Sequence, residues 1–239
     1  MMTDRTGRRD TLVGLAALLL LLVAAVAWFA SPTILYPIGD RLVECQACRI
    51  IYFHVPSAWV AYLAFFVVFS ASIQVLRTGE PRWDAIARSS AEVGLVFTTL
   101  ALITGSLWGK PIWGTWWAWD ARMTTTLILW FIYLAYLMLR SYVEDERRAA
   151  RYSAVLGILG FVDVPINYLS VTWWRTLHPE IAIVRPEGPA MPPFMVQILA
   201  LSLLAFTLLY MYLLLRRVGL ERTAQRLRAA QLGVAGQGA

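Results

Sequence analysis

Six apolar stretches of about 20 residues, joined by short polar connections, leave this chain almost no choice of fold. A helix rises 1.5 Å per residue, so roughly 20 apolar residues cross the ~30 Å hydrocarbon layer, and only helices or closed barrels can do so with every backbone group paired. The stretches fall at residues 11–31, 52–76, 89–107, 123–139, 153–173 and 194–215 of 239. Charged residues make up 15% of the chain and hydrophobic ones 59%, against about 25% charge in a typical soluble domain. The connections are too short to hold a soluble domain, and no internal repeat is visible. The sequence therefore predicts an all-α polytopic membrane protein, one six-helix transmembrane domain over residues 1–239. Residues 216–239 form a tail that reads as a short basic amphipathic helix around Leu220 and Leu227, fading into Gly-Gln-Gly-Ala.

The formal charge is +6, and every basic residue but Lys110 is arginine. In a soluble chain that balance would bring nucleic acid to mind. Here the arginines cluster between apolar spans and report orientation instead. Fifteen of the 21 basic residues lie in the N-terminal segment, the second and fourth connections and the tail. The other six, Arg41, Arg49, Lys110, Arg122, Arg175 and Arg185, lie in the remaining connections. The positive-inside rule places both termini in the cytoplasm and the connections 32–51, 108–122 and 174–193 outside. Arg8-Arg9 before an apolar run, with Ala25-Val26-Ala27 beyond it, resembles a twin-arginine signal. The run from Leu12 to Ala30 is longer than the ~7–15 residues of a signal core, so a retained first helix is expected.

Residues 113–120 read Trp-Gly-Thr-Trp-Trp-Ala-Trp-Asp, four tryptophans and a carboxylate at an outer membrane boundary. Tryptophan gathers at headgroup depth in any membrane protein, and Trp28, Trp59, Trp83 and Trp130 fit such a belt. On a helix, however, Trp113, Trp116 and Trp117 share one face at i, i+3, i+4. With Gly109, Pro111 and Gly114 breaking regularity ahead of it, the segment predicts a short re-entrant or surface-lying helix carrying an aromatic platform. The chain has only two histidines, His54 and His178, and both fall on that same outer side. Two imidazoles beside an aromatic shelf suit a large, flat, metal-containing ligand, and haem is the obvious candidate. Arg49 and Arg122 face outward near His54 and Asp120, where they could pair with haem propionates or with lipid headgroups. Asp120 could pair with Arg122, but its place at the mouth of the fourth span favours a helix-capping brace.

These residues resemble a known family. The Trp-Gly-x-x-Trp-x-Trp-Asp pattern resembles the signature of the WWD haem-handling membrane proteins. Three stretches narrow the resemblance: Arg49-Ile50-Ile51-Tyr52-Phe53-His54-Val55-Pro56, then Trp119-Asp120-Ala121-Arg122-Met123-Thr124, then Val164-Pro165-Ile166-Asn167 with Ser170-Val171-Thr172-Trp173-Trp174-Arg175-Thr176-Leu177-His178. Together they are similar to the CcmC family, the haem exporter C proteins of cytochrome c maturation. The resemblance runs from about Arg49 to His178, and the six spans agree with it at both ends. It implies a protein of the bacterial inner membrane that holds haem b transiently at the periplasmic face and presents it to the haem chaperone CcmE. CcmD and the transporter subunits CcmA and CcmB are the further partners it implies. It also implies that His54 and His178 are the axial iron ligands. Trp113, Gly114, Trp116, Trp117, Trp119 and Asp120, with Arg49 and Arg122, would hold the porphyrin.

Two departures stand out. The family pattern has Gln after the second histidine, where this chain has Pro179. Cys45-Gln46-Ala47-Cys48 is not a family feature, and Arg49 after the second cysteine rules out a c-type haem attachment site; a disulfide on an oxidising face is open. Within the membrane, Asp163 lies roughly 15 Å deep, and an intramembrane carboxylate is a functional candidate by default. Pro165 is expected to open that helix locally, and Glu92 to reach Arg88 in a structural role. No nucleotide motif is present, so no enzymatic activity is expected and any ATP use falls to partner subunits. Two other classes stay open: a proton-coupled permease using Asp163 and Glu92, and a bis-histidine haem b electron-transfer subunit.

Overall fold

A computed structural model describes residues 2–32, 34–38, 41–178 and 191–235. Seven helices run α1 (Met2–Ala30), α2 (Ile51–Thr78), α3 (Pro81–Trp113), α4 (Ala121–Tyr142), α5 (Glu146–Phe161), α6 (Asp163–Trp173) and α7 (Pro193–Ala235). They make six candidate membrane spans, because α5 and α6 are two halves of one. Pro165 has no N–H to offer the carbonyl four residues back, at Phe161, and α5 ends there. Asp163 opens α6 at the break, with one carboxylate oxygen buried and without a hydrogen bond.

Three features differ from the sequence expectation. The connection between α1 and α2 holds a two-stranded antiparallel ribbon, β1 (Leu35–Ile38) with β2 (Arg41–Glu44), then a 3-10 turn over Gln46–Ile50. Cys45 and Cys48 are joined by a disulfide in that turn. The tail is not a separate helix: α7 runs unbroken to Ala235, past the expected end of the span, and the final Gly-Gln-Gly-Ala lies outside the described residues. Finally, α3 spans 33 residues, about 50 Å at 1.5 Å each, longer than the ~30 Å hydrocarbon layer.

α2 is the central helix, packed on α3, α5 and α7, whereas α1 lies outermost against α7 with Leu15, Leu19, Leu22 and Val26 exposed. Lipid chains compete with apolar side chains, so tight fit and polar contacts hold such a bundle together. The Phe65 ring stacks on Tyr133 with centroids 3.6 Å apart. Between helices, Ser90 Oγ donates to the Ala64 carbonyl at 2.7 Å, Trp59 Nε1 donates to Thr207 and Trp130 Nε1 to Thr99.

The two ends of the bundle differ in chemistry. At one end, ion pairs stitch α3, α4, α5 and α7: Arg140 to Asp84, Arg88 to Glu221, Arg217 to Glu92 and Arg228 to Glu146. Glu92 has the structural role expected of it, with Arg217 joining Arg88 as its partner. This is the arginine-rich end. The start of α2, the end of α3, the start of α4 and the end of α6 meet at the other, where a cleft opens.

Candidate functional site

Both histidines line this cleft. His54 comes from the first turn of α2, and His178 from the segment beyond the end of α6. Between them the wall is built by Ala101, Gly105, Trp108, Ile112 and Trp113 of α3 and by Arg122 and Met123 of α4. The spacing of the α3 residues is one helical face, and its small members let α2 approach.

His54 is held on three sides. Its Nδ1 lies 3.0 Å from Thr104 Oγ1, its ring stands edge-on to Trp108 with centroids 5.8 Å apart, and its Cε1 rests on Gly105. A Cβ on Gly105 would lie 3.0 Å from Cε1, tighter than nine in ten real contacts, so the imidazole would have to give by a few tenths of an ångström. Glycine lets the ring lie this close to α3 without such a shift.

The His178 segment is tied down by Asp120. The sequence expectation of a capping brace is met: Asp120 Oδ1 accepts from Met123 N at 2.8 Å and starts α4. Its other oxygen reaches across the site, accepting from Thr176 Oγ1 at 2.6 Å and from Leu177 N at 3.1 Å. Thr176 Oγ1 in turn accepts from His178 N at 3.0 Å. One carboxylate thus fixes both the start of α4 and the backbone leading to the second histidine. Pro179 and Arg185, further along that connection, lie outside the described residues.

This arrangement separates two variants of Asp120. Asparagine caps a helix about as well as aspartate, while alanine costs about 1 kcal/mol. Asparagine has one acceptor oxygen, though, and would turn an N–H toward Leu177 N if it kept the cap. Asp120→Asn is therefore expected to melt within a few degrees of the parent yet bind the cleft's ligand on the order of ten-fold more weakly, as loss of an outer-shell contact does. Asp120→Ala should lose both. Thermal unfolding and ligand titration on the same samples check this.

The arginines diverge. Arg122 lines the cleft, its Nη1 donating to the carbonyls of Asn167 and Tyr168 at 3.0 Å each, and it has no carboxylate partner among the described residues. Arg49 does not line the cleft. Its Nη2 donates to the Ser31 carbonyl at 2.8 Å and its Nη1 points to the Phe29 carbonyl at 3.4 Å. Phe29 lies in the last turn of α1 and Ser31 just past its end, where a cation is favoured by the helix dipole. The structure thus places Arg49, expected from the sequence as a porphyrin contact, at the end of α1 and outside the cleft wall.

The tryptophans are not one platform. α3 continues through Pro111 to Trp113, and Gly114 ends it in the left-handed region at φ 73°, donating to the Lys110 carbonyl. Residues 114–120 are therefore not helical, and Trp116 and Trp117 do not share a helix face with Trp113. Trp113 lines the cleft, while Trp117 and Trp119 meet edge-on, centroids 5.5 Å apart, in a shallow lateral groove against Leu102 and Leu107. Trp116 turns outward over Lys110, and Trp119 is 77% exposed.

Four residues of the site were not singled out from sequence: Thr104, Gly105, Trp108 and Tyr62. Tyr62 donates to Asn167, whose amide donates to the Arg122 carbonyl, Thr125 and Thr126, a buried junction of α2, α4 and α6 beside the cleft. The signal for the first three was the run of small residues Gly94, Thr98, Ala101, Gly105 and Gly109 at helical spacing, which marks a close helix approach.

Fold and cleft define a class, a polytopic membrane protein with two histidines from separate segments converging on an aromatic-walled cleft at one end. The chain belongs to the CcmC family, heme exporter protein C, whose sequence profile matches residues 4–233. It is 38% identical over 235 residues to the heme exporter protein C of Bradyrhizobium diazoefficiens, covering 93% of this chain and 89% of that one. It is 35% identical over 184 residues to that of Rhodobacter capsulatus, covering 77% and 76%. To that of Escherichia coli K12 it is 44% identical over 131 residues, 54% and 53% of the two chains.

Proposed function

We propose that this protein binds haem b transiently in the cleft and delivers it, at the periplasmic face of the bacterial inner membrane, to the haem chaperone CcmE for c-type cytochrome biogenesis. The observation that carries this reading is the convergence of His54 and His178 on one cleft. The rest of the lining suits the cargo. Trp108 and Trp113 supply flat apolar walls, and Arg122 is a guanidinium in the cleft with no carboxylate partner among the described residues. Trp108 also has its indole N–H buried and without an acceptor among the described residues, a second donor for a propionate. Haem supplies an iron that takes two neutral imidazoles; the protein positions the imidazoles, walls off the ring and meets its acid groups.

The arginine distribution supports cytoplasmic termini and an outer cleft. Exposed Trp116 and Trp119, on the segment that joins α3 to α4, suit the meeting with CcmE. CcmD, CcmA and CcmB are the remaining partners, and ATP use is assigned to the transporter pair. The protein is a handling component rather than an enzyme. The other two classes find less support. Glu92 is engaged by arginines at the opposite end, and the histidines flank the bundle's end instead of facing each other within it.

The test is transfer. Vesicles holding this protein loaded with haem and CcmE, without ATP or the transporter pair, are expected to pass haem to CcmE. Haem appears covalently on the chaperone as it leaves this protein's absorption band. Strict dependence on ATP and both transporter subunits, or haem that stays bound through turnover of a redox partner, overturns the delivery role.

A further inference from the structure

We propose that Thr104 sets the tautomer of His54, holding its ring proton on Nδ1 so that the Nε2 lone pair is free for iron; this rests on the haem-ligand reading above. Thr104 Oγ1 lies 2.6 Å from the Leu100 carbonyl and 3.3 Å from that of Ala101. Carbonyls only accept, and a hydroxyl has one hydrogen. That hydrogen points along α3, so toward His54 the oxygen presents a lone pair. Nδ1 at 3.0 Å must then be the donor.

The opposite assignment fails on geometry. Were Oγ1 to donate to Nδ1, it would face the Leu100 carbonyl at 2.6 Å with two oxygen lone pairs opposed and no proton between them. Thr104 is only 8% exposed, so water does not stand in for the missing donor. Nε2 has no hydrogen-bond partner among the described residues, and the ring is walled by Gly105 and Trp108 while lining the cleft. Free histidine in water favours the other tautomer, with the proton on Nε2, which would block the iron. The hydrogen bond from Nδ1 also makes Nε2 more basic, as outer-shell acceptors of ligating histidines do.

The chain's two histidines make the test direct. Haem-free protein labelled with 15N in histidine gives two imidazole signals, assigned with His178→Ala. The His54 signal is expected to show Nδ1 protonated and Nε2 bare in the parent and in Thr104→Ser. In Thr104→Val, which keeps the shape and removes the oxygen, the Nε2–H tautomer should appear. Haem affinity should then fall about 10- to 100-fold, with the midpoint potential rising as the imidazole becomes a weaker donor; Thr104→Ser should restore both. A parent whose His54 carries its proton on Nε2, or a Thr104→Val variant with unchanged tautomer and potential, overturns the proposal. If the tautomer is as stated but haem uptake proves independent of His54, the haem-ligand reading has failed and the role given to Thr104 fails with it.

Discussion

Removing either histidine is expected to abolish stable haem binding, but the two losses should behave differently. The parent should show the sharp spectrum of iron held by two imidazoles. In His54→Ala and His178→Ala that spectrum should give way to a weakened, shifted Soret band. Affinity should drop by more than the ~10- to 100-fold that follows loss of an outer-shell partner. The difference lies in what surrounds each ring. His54 is boxed between Gly105, Trp108 and Thr104, so His54→Ala leaves a ring-shaped void with an acceptor oxygen already at its edge. Free imidazole should enter that void, donate to Thr104 and restore the spectrum. His178 sits on a segment beyond α6 anchored through Thr176 and Leu177 to Asp120. Its removal opens the mouth of the cleft, and rescue there should need much more imidazole. Visible spectra of both variants over an imidazole titration decide the matter. Equal spectra in parent and variants would remove haem from these side chains altogether.

The same contrast explains what the sequence made legible. Six spans could be read because bilayer thickness is a length the chain must match, and apolar runs report it directly. Capping by Asp120 could be read because it is local, a carboxylate three residues before the N–H it accepts. The helix ends were less visible. Pro111 looked like a breaker, but α3 already runs through it to Trp113, and the stop is set by the left-handed Gly114. Once that stop is placed, the regular spacing of Trp113, Trp116 and Trp117 no longer describes a face. Arg49 and Thr104 were out of reach for another reason. Arg49 meets carbonyls 18 and 20 residues away, and Thr104 meets a histidine 50 residues away. Both pairings depend on how helices register against each other, and that register follows from packing such as Phe65 against Gly94. Residue type alone said that Arg49 could bind a carboxylate. The fold gave its guanidinium to the end of α1.

The largest effect on stability is expected far from the cleft, at Asp84 and Arg140. Asp84 lies in the first turn of α3 and Arg140 in the last turn of α4. The guanidinium meets both carboxylate oxygens at 2.6 Å, and the two side chains are 9% and 11% exposed. Each charge also suits its helix end, the acid at an N-terminus and the base at a C-terminus. A buried pair of this kind is costly to break from one side, because the remaining ion keeps its desolvation penalty and loses its counter-charge. Asp84→Ala or Arg140→Ala is expected to destabilise by about 3–5 kcal/mol. Replacing both, as Asp84→Leu with Arg140→Met, should cost much less than either single change, since no ion is left stranded. Haem binding at the opposite end should persist in whatever fraction remains folded, for neither side chain lines the cleft. Thermal unfolding in detergent, read beside the haem spectrum for the two single variants and the double, separates these outcomes. Single variants as stable as the parent would mean that water reaches the pair freely and that the arginine-rich end is held by its other ion pairs.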